Sequence, residues 1–482
     1  MVQEASSANP GRLSPASRLW LSLATLGLVL MVWMNQSIPF HEWEVLKERV
    51  FETHTASTFE TVRYPVMFMY RRASDEDLYF HLTGAMLGKP VDRELVGKAR
   101  EGSGEAFDKP TPPADGQWHP PYTEVPVEYP PLVLPFILVP RMLTDAPRYF
   151  CWIFGALMGA CLVGAVAVLT RALLRAGKDA RELSLRVFLI SLVFLAHGGI
   201  AIQRLDAVTA LLIALATAAW IDRAYDRLAF WLGLAAASKF LPILLLLPIA
   251  AADETFLRSA LRGATPEVRR RGRAATLRLF ALTGITFALG LGPFFAFSPT
   301  ALGDVLRYHG ARGLHGESVL GSLWALIASH GPAVHAYGSY NLPGAGADFL
   351  GRLAMPLSLV AIAAFAWFVY RRGSGAVVRA GLVVLGALTI LWSTGKVFSP
   401  QYLTWGIPFL LFLPAPALRR GVVLYAALVG ISQLYFRGYF DAIYNLEPLG
   451  IWTLFARNLI LGALVVFVVR LCREEEASPA SP

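Results

Sequence analysis

The sequence is poor in charged residues and almost free of cysteine. Asp, Glu, Lys and Arg make up only 16% of its 482 residues, whereas hydrophobic residues make up 55%. Soluble domains carry about one quarter charged residues, so this composition excludes an ordinary soluble protein. Of the three cysteines, Cys151 and Cys161 lie about 15 Å apart along one predicted helix, and Cys472 lies near the C-terminal end. No disulfide framework and no cysteine-ligated metal site is therefore expected.

Long apolar runs predict an all-α integral membrane protein, a polytopic bundle of roughly 10–13 transmembrane helices. A helix that crosses the hydrocarbon core needs about 20 apolar residues, because its backbone must be satisfied within the segment. The predicted spans are residues 19–34, 150–173, 185–202, 207–221, 277–297, 350–370, 377–393, 402–418, 421–436 and 451–471.

Two further apolar runs do not fit a single straight crossing. Residues 131–143 are too few to span the membrane, and residues 228–252 are interrupted by Ser238, Lys239 and Pro242. Proline cannot donate a helical hydrogen bond, so the second run is predicted to form two half-helices that enter the membrane and return.

Basic residues gather in the connections that would share one side, which predicts cytoplasmic termini and a multi-pass protein of the cell membrane. The net charge of +9 is mostly this bias. The basic run at 269–273 is expected to lie against anionic lipid, and no nucleic-acid partner is expected. The predicted organisation is a single membrane domain, a retained first helix and two tails: tails 1–17 and 473–482, membrane domain 18–472, first outer loop 35–130 with short interfacial helices, basic cytoplasmic loop 253–276 and outer loop 298–349.

Ionisable residues are rare in the apolar runs, and each is a candidate for function because charge is costly there. Arg204 and Asp206 fall at the predicted outer boundary, and Lys239 falls at the apex of the broken segment. The structural alternative is that Arg204 and Asp206 pair across a tight turn, while Lys239 extends to lipid head groups. In the same way, the acids at 75–77 could be a solvated loop.

A series of short motifs carries a family resemblance. They are Asp75 four residues before Tyr79, then Gly88, Glu128-Tyr129-Pro130-Pro131, Arg204-Leu205-Asp206, Ser238-Lys239 with Pro242, Tyr308-His309, Arg312 to Ser318, and Ser399-Pro400-Gln401-Tyr402. In this order, over residues 74–408, they resemble glycosyltransferase family 87, membrane enzymes of the GT-C fold that use polyprenyl-phosphate sugars. The sequence departs from the family after Gly88, where it lacks an aromatic residue and has a charged insert that extends to Trp118.

The resemblance and the chemistry of the transfer suggest roles for these residues. The catalytic base would be Asp75, with Asp77 as the alternative, because an acceptor hydroxyl needs a carboxylate to take its proton. The donor phosphate would be held by cations and imidazoles: Lys239, Arg204, Arg312, His309 and His315. The sugar and the acceptor would contact Glu128, Tyr129, Asp206, Glu317, Gln401 and Tyr402.

The function that the resemblance implies is inverting transfer of a hexose, expected to be mannose, to a lipid-linked or cell-envelope glycan at the outer face of the bacterial cytoplasmic membrane. The predicted partners are the lipid bilayer, the polyprenyl-phosphate sugar and a glycolipid or glycan acceptor. No metal and no cofactor other than the donor substrate is expected. Two alternatives remain: a transporter or flippase of lipid-linked sugars, which the missing internal repeat disfavours, and a scaffold that binds partners through its first outer loop.

Overall fold

The computed structural model describes residues 49, 57, 74–100, 104, 107, 109–328, 331–372, 377–438 and 440–474. Their regular structure is helical apart from one small hairpin. The α-helices are α1 Ser74–Met86, α2 Arg93–Arg100, α3 Leu134–Leu143, α4 Pro147–Arg175, α5 Ala180–His197, α6 Asp206–Ile221, α7 Tyr225–Lys239, α8 Leu246–Ala252, α9 Ser259–Arg262, α10 Pro266–Phe297, α11 Ala301–Ala311, α12 Val319–Ile327, α13 Ala345–Arg372, α14 Val377–Thr394, α15 Ala415–Gly438, α16 Phe440–Tyr444 and α17 Pro448–Glu474. The hairpin pairs strands β1 Val334–Ala336 and β2 Ser339–Asn341 antiparallel.

Six of the described helices are long and apolar enough to cross a membrane: Pro147–Arg175, Ala180–Ala201, Pro266–Phe297, Ala345–Arg372, Ala415–Gly438 and Pro448–Arg473. Four more apolar helices are shorter, among them Asp206–Ile221 and Arg379–Thr394. The chain is an all-α polytopic membrane protein, as the composition predicts. The predicted first span at 19–34, the tail 1–17 and residues 475–482 lie outside the described residues.

The predicted span at 402–418 is wrong. The chain there forms two short 3₁₀ segments, Pro400–Trp405 and Ile407–Phe412, and α15 begins only at Ala415. Pro400, Pro408 and Pro414 lack the backbone N–H that an α-helix needs, so this apolar run does not form a continuous helix. It is nevertheless buried, because neighbouring helices cover it.

The break predicted within residues 228–252 is confirmed. Helix α7 ends at Lys239, a 3₁₀ segment follows at Leu241–Leu245, and α8 begins at Leu246. Phe240, at the break, has a φ of +55°, which is unusual for a residue with a side chain. Helix α7 packs closely on α10, since a Cβ on Gly233 would lie 2.7 Å from the backbone oxygen of Thr283. This packing fixes where Lys239 emerges.

Helix α1 is part of the predicted first outer loop and lies on the N-terminal end of α4. The rings of Tyr79 and Phe154 have centroids 5.4 Å apart, and those of Phe80 and Phe150 are 5.5 Å apart. The Arg141 guanidinium lies 4.3 Å from the centroid of the Phe80 ring. Aromatic contacts of this kind add to the burial of apolar area, so α1 is anchored to the membrane domain.

An ionic clip in the insert after Gly88 is centred on His119. Its ring nitrogens lie 2.7 Å from a Glu124 carboxylate oxygen and 3.1 Å from Oδ1 of Asp115, and its backbone N–H donates to the Met86 carbonyl oxygen at 2.8 Å. Hydrogen bonding to Glu124 raises the pKa of His119 above its ordinary 6.5. The Gln117 backbone N–H, with a smaller contribution from His119, lowers the pKa of Asp115 below its ordinary 3.8.

The clip should weaken as the pH rises. Stability from a raised histidine pKa is fully present below 6.5 and is lost as the pH passes through the raised value. We expect hydrogen exchange of residues 109–125, corrected for intrinsic rates, to accelerate above that pH, by about tenfold per unit of pKa shift. The variant His119→Gln should show no such pH dependence. An identical profile in the variant would contradict the clip.

Candidate active site

A cavity of about 890 Å³ lies where segments distant in the sequence meet. Its wall is built from several elements: the start of α1, the turn before α3, the start of α6, the end of α7, the end of α11, and parts of α13 and of the segment 395–402. The lining includes ten of the residues selected from the sequence: Asp75, Glu128, Tyr129, Arg204, Asp206, Lys239, His309, Arg312, Gln401 and Tyr402.

Asp75 faces this cavity from the first turn of α1. Arg204 Nη1 forms an ion pair with Asp75, whose side chain remains 28% exposed, while Arg204 is buried. The ion pair joins Arg204 to Oδ2 of Asp75, and the exposed part of the carboxylate is available to the cavity that Asp75 lines. Asp77, two residues further on, is not part of the lining.

Lys239 is held at the end of α7 by a carboxylate and two aromatic rings. Its Nζ donates to both carboxylate oxygens of Asp206 at 2.7 Å, and Trp405 Nε1 donates to Oδ1 of Asp206 at 2.8 Å. The ammonium lies 4.7 Å from the centroid of the Tyr402 ring. Lys239 is 26% exposed and Asp206 is only 3% exposed, so the cation is accessible from the cavity, whereas its carboxylate partner is largely covered.

The structural alternative that paired Arg204 with Asp206 is therefore not what the structure shows. Arg204 pairs with Asp75, which lies 129 positions earlier in the sequence by residue number, and Asp206 pairs with Lys239. Both ion pairs line the same cavity, and in each of them one acid is matched by one cation.

Glu128 and His309 are joined at a second part of the wall. Tyr308 Oη donates to Oε2 of Glu128 at 3.1 Å, and His309 Nε2 lies 3.1 Å from the Glu128 carbonyl oxygen. A carbonyl oxygen only accepts, so Nε2 carries the proton of this imidazole. Burial raises the pKa of Glu128, which Arg312 partly offsets. Burial, with Arg312, Lys239 and Lys396 nearby, lowers the pKa of His309 to about 3, so its ring is neutral.

Arg312 and Lys396 add two cations to the wall that form no direct ion pair among the described residues, although the charge of Arg312 acts on the nearby Glu128 carboxylate. Lys396 Nζ donates to the carbonyl oxygens of Gly310 at 2.7 Å and Arg312 at 2.8 Å. The Arg312 guanidinium lies 5.0 Å from the centroid of the Tyr308 ring. Within the described part of the chain, neither cation has a carboxylate oxygen within 4.0 Å. Burial and the charge of Arg312 lower the pKa of Lys396, so two like charges are held close together.

Lys396 was not selected from the sequence. The polar turn Thr394-Gly395-Lys396 at the end of an apolar run placed it on the same face as the other candidates, but nothing in its neighbours indicated a ligand. Its role depends on contacts with Gly310 and Arg312, which are 84–86 positions away. Such pairing is invisible without the tertiary structure.

His315 and Glu317 do not line the cavity. The Glu317 carboxylate accepts hydrogen bonds from Tyr435 at 2.5 Å and Tyr444 at 2.8 Å, and His315 Nε2 lies 3.6 Å from it. The backbone N–H of His315 donates to the Lys396 carbonyl oxygen at 3.0 Å. The two residues thus connect the segment after Arg312 to α15, α16 and Lys396. Their roles in ligand binding remain predictions.

The described residues contain no group of three or more His, Cys, Asp or Glu side chains placed to hold a metal ion. The acids that line the cavity are instead separated by cations and aromatic rings. Fixed cations are thus the positive groups that the described residues present to a ligand.

No protein-family model matches the chain, and no curated protein matches it. Among solved structures, the chain is similar to the crystal structure of ArnT from Cupriavidus metallidurans bound to undecaprenyl phosphate. The TM-score is 0.36 and the sequence identity is 15%, over 88% of this chain and 78% of that chain. A likeness at this level carries no conclusion about activity, so the function has to be inferred from the cavity itself.

Proposed function

We propose that the protein is an inverting membrane glycosyltransferase of the GT-C kind. It moves a hexose from a polyprenyl-phosphate donor to a lipid-linked or cell-envelope glycan on the outer side of the cytoplasmic membrane. The proposed hexose is mannose. The observation that supports this proposal is that one cavity in a membrane domain presents an accessible carboxylate, Asp75, together with the cations Arg312, Lys396 and Lys239. Transfer from a lipid phosphate needs both kinds of group in one place.

In the proposed reaction, the acceptor hydroxyl oxygen attacks the anomeric carbon, and the bond from that carbon to the phosphate oxygen breaks. Asp75 takes the hydroxyl proton, and the electron pair of the broken bond leaves with the polyprenyl phosphate. One displacement inverts the anomeric configuration, and it requires one base with no second catalytic carboxylate. The reaction uses no cofactor besides the donor itself.

The donor phosphate is assigned to the wall of Arg312, Lys396 and Lys239. Lys239 is already neutralised by Asp206, whereas Arg312 and Lys396 have no carboxylate within ion-pair distance among the described residues. The donor phosphodiester carries one negative charge, and a second develops on the departing polyprenyl phosphate as the bond to the anomeric carbon breaks, so two cations match the charge of the leaving group. In neutral His309, the Nε2–H group donates a hydrogen bond to the Glu128 carbonyl oxygen, and Nδ1 can only accept. His309 therefore suits a sugar hydroxyl, which can donate, better than a phosphate oxygen, which cannot.

Arg312→Gln should raise the KM for the donor by about 10–100-fold, because a hydrogen bond to a charged group contributes about 1.5–3 kcal/mol. The matched control is Arg307→Gln, on α11 five residues before Arg312, whose guanidinium is 75% exposed and paired with Asp304 at 3.3 Å. The measurement is initial-rate kinetics over a range of donor concentration. Equal changes in KM for the two variants would remove Arg312 from the donor site.

The function itself is tested by incubating the purified, reconstituted protein with radiolabelled polyprenyl-phosphate mannose and a membrane lipid extract. We expect label to appear in a new glycolipid or glycan, with unlabelled polyprenyl phosphate as the second product. Parallel reactions with other polyprenyl-phosphate hexoses identify the sugar. Movement of intact labelled donor across the vesicle membrane without any new product would instead support a flippase.

A further inference from the structure

A second cavity, of about 500 Å³, lies at the other end of the helix pair that carries Asp206 and Lys239. The first cavity takes its lining from the start of α6 and the end of α7, whereas the second is lined by the α6–α7 turn and by α10. Helix α6 has 16 residues, which corresponds to about 24 Å of rise. That separation approaches the thickness of the hydrocarbon core, so the second cavity lies near the opposite membrane boundary.

The lining of this second cavity, which we call the Arg223 pocket, is strongly basic on one side. It contains Arg223, Arg227, Arg278 and one acid, Asp226. Arg278 binds Asp226 through two hydrogen bonds of 2.9 and 2.7 Å, so the acid is already neutralised. Arg223 and Arg227 are exposed and have no carboxylate within 4.0 Å in the part of the chain that the structure describes. Two positive charges are therefore available to a ligand.

The floor of the Arg223 pocket is apolar. Phe256 is buried there and meets the Tyr225 ring edge to face, with centroids 4.8 Å apart, and Leu279 completes the floor. The Tyr225 hydroxyl donates to Oδ2 of Asp253 at 3.2 Å, which fixes the ring. Leu277 and Phe280, on either side of Arg278 and Leu279, are large exposed apolar side chains on α10. The pocket thus borders a surface suited to hydrocarbon.

The backbone holds Arg223 in an unfavourable conformation. Its φ is +54°, in the left-handed region that residues with a Cβ rarely adopt. The turn is closed by hydrogen bonds from Arg223 N to the Trp220 carbonyl oxygen at 2.9 Å and from Ala224 N to the Ala219 carbonyl oxygen at 2.8 Å. Conformations of this kind persist where the surroundings impose them, and they are common at ligand sites.

We propose that the Arg223 pocket binds the phosphate head group of an anionic membrane phospholipid, with Arg223 and Arg227 on the phosphate and the acyl chains along the apolar surface of Leu277 and Phe280. Free phosphate shares the charge of this ligand but not its need for adjoining apolar surface, which favours the lipid. Basic pockets between helices at a membrane boundary bind lipid head groups by the same combination of charge and burial. The site is separate from the proposed transfer reaction and does not depend on it.

The test compares Arg223→Gln/Arg227→Gln with Arg419→Gln/Arg420→Gln. The control pair removes the same charge from exposed positions near the start of α15, outside the pocket and outside the basic run 269–273. Each purified protein is titrated with phosphatidylglycerol or phosphatidylcholine in detergent, and bound lipid is counted by native mass spectrometry. We expect the apparent Kd for phosphatidylglycerol to weaken about 30-fold in the pocket variant only, since each basic residue contributes about a factor of five.

Three outcomes would overturn the proposal. Equal weakening in the two double variants would assign the effect to diffuse surface charge, and equal affinity for phosphatidylcholine would remove the role of the head-group charge. Displacement of phosphatidylglycerol by inorganic phosphate, but not by chloride at matched ionic strength, would assign the pocket to a soluble phosphate. If the pocket double variant fails to fold, the single variant Arg227→Gln, at an exposed position in the first turn of α7, is compared in the same way with Arg419→Gln.

Discussion

Replacement of Asp75 by Asn is expected to lower kcat for sugar transfer by a factor of about 10²–10⁴, which is the contribution that a positioned general base usually makes. Asn has nearly the same shape but cannot accept the proton of the acceptor hydroxyl. Arg204 and the cations around the donor phosphate remain in place, so the KM for the donor should change little. The measurement is steady-state kinetics with the radiolabelled donor, together with donor binding at equilibrium.

The matched control is Asp77→Asn, which makes the same chemical change in the same first turn of α1. Asp77 does not line the cavity, so this variant should retain most of the activity. Comparable losses of kcat in the two variants would show that the acidic turn acts through the local fold. Loss in Asp77→Asn alone would assign the base to the sequence-based alternative.

The second large effect is on stability. Lys239→Met should lower the free energy of unfolding by about 3 kcal/mol, because it leaves the carboxylate of Asp206, which is 3% exposed, without its cation. Trp405 Nε1 still donates to that carboxylate but carries no charge. The measurement is unfolding of the purified protein in mixed micelles.

The double variant Asp206→Asn/Lys239→Met removes both charges and should recover most of the lost stability. If Lys239 also holds the donor phosphate, sugar transfer stays low in this stable double variant. Full recovery of transfer would make Lys239 a structural residue only. Failure to recover stability would show that the pair is not the source of the destabilisation.

Part of the candidate site could be anticipated from the sequence, because a charged side chain in or beside an apolar helix is energetically costly. Arg204, Asp206 and Lys239 were selected for this reason, and all three line the cavity. The interrupted pattern around Ser238 and Pro242 also predicted the break that places Lys239 at a helix end. Local rules were sufficient here, since proline and buried charge act within a few residues.

The same local rules failed where apolarity was mistaken for a helix. Residues 402–418 have the composition of a span, but the prolines leave 3₁₀ segments that are buried because other helices surround them. The Glu317 carboxylate accepts hydrogen bonds from Tyr435 and Tyr444, more than 100 positions away, and its role as a sugar ligand stays a prediction. Neither outcome follows from the neighbours of these residues in the chain.

The sequence by itself determined that this is an all-α membrane protein, that the apolar run 228–252 is interrupted, and which ionisable side chains are rare exceptions in or beside the apolar runs, because hydropathy and backbone hydrogen bonding are local properties. Only the tertiary structure decided which cation meets which acid: Arg204 with Asp75, Lys239 with Asp206, and Arg312 beside Lys396 without a carboxylate. Pairing depends on helix packing that joins positions up to about 130 residues apart in these contacts. The balance of charge in the cavity, and with it the proposed phosphate site, is a result of that packing.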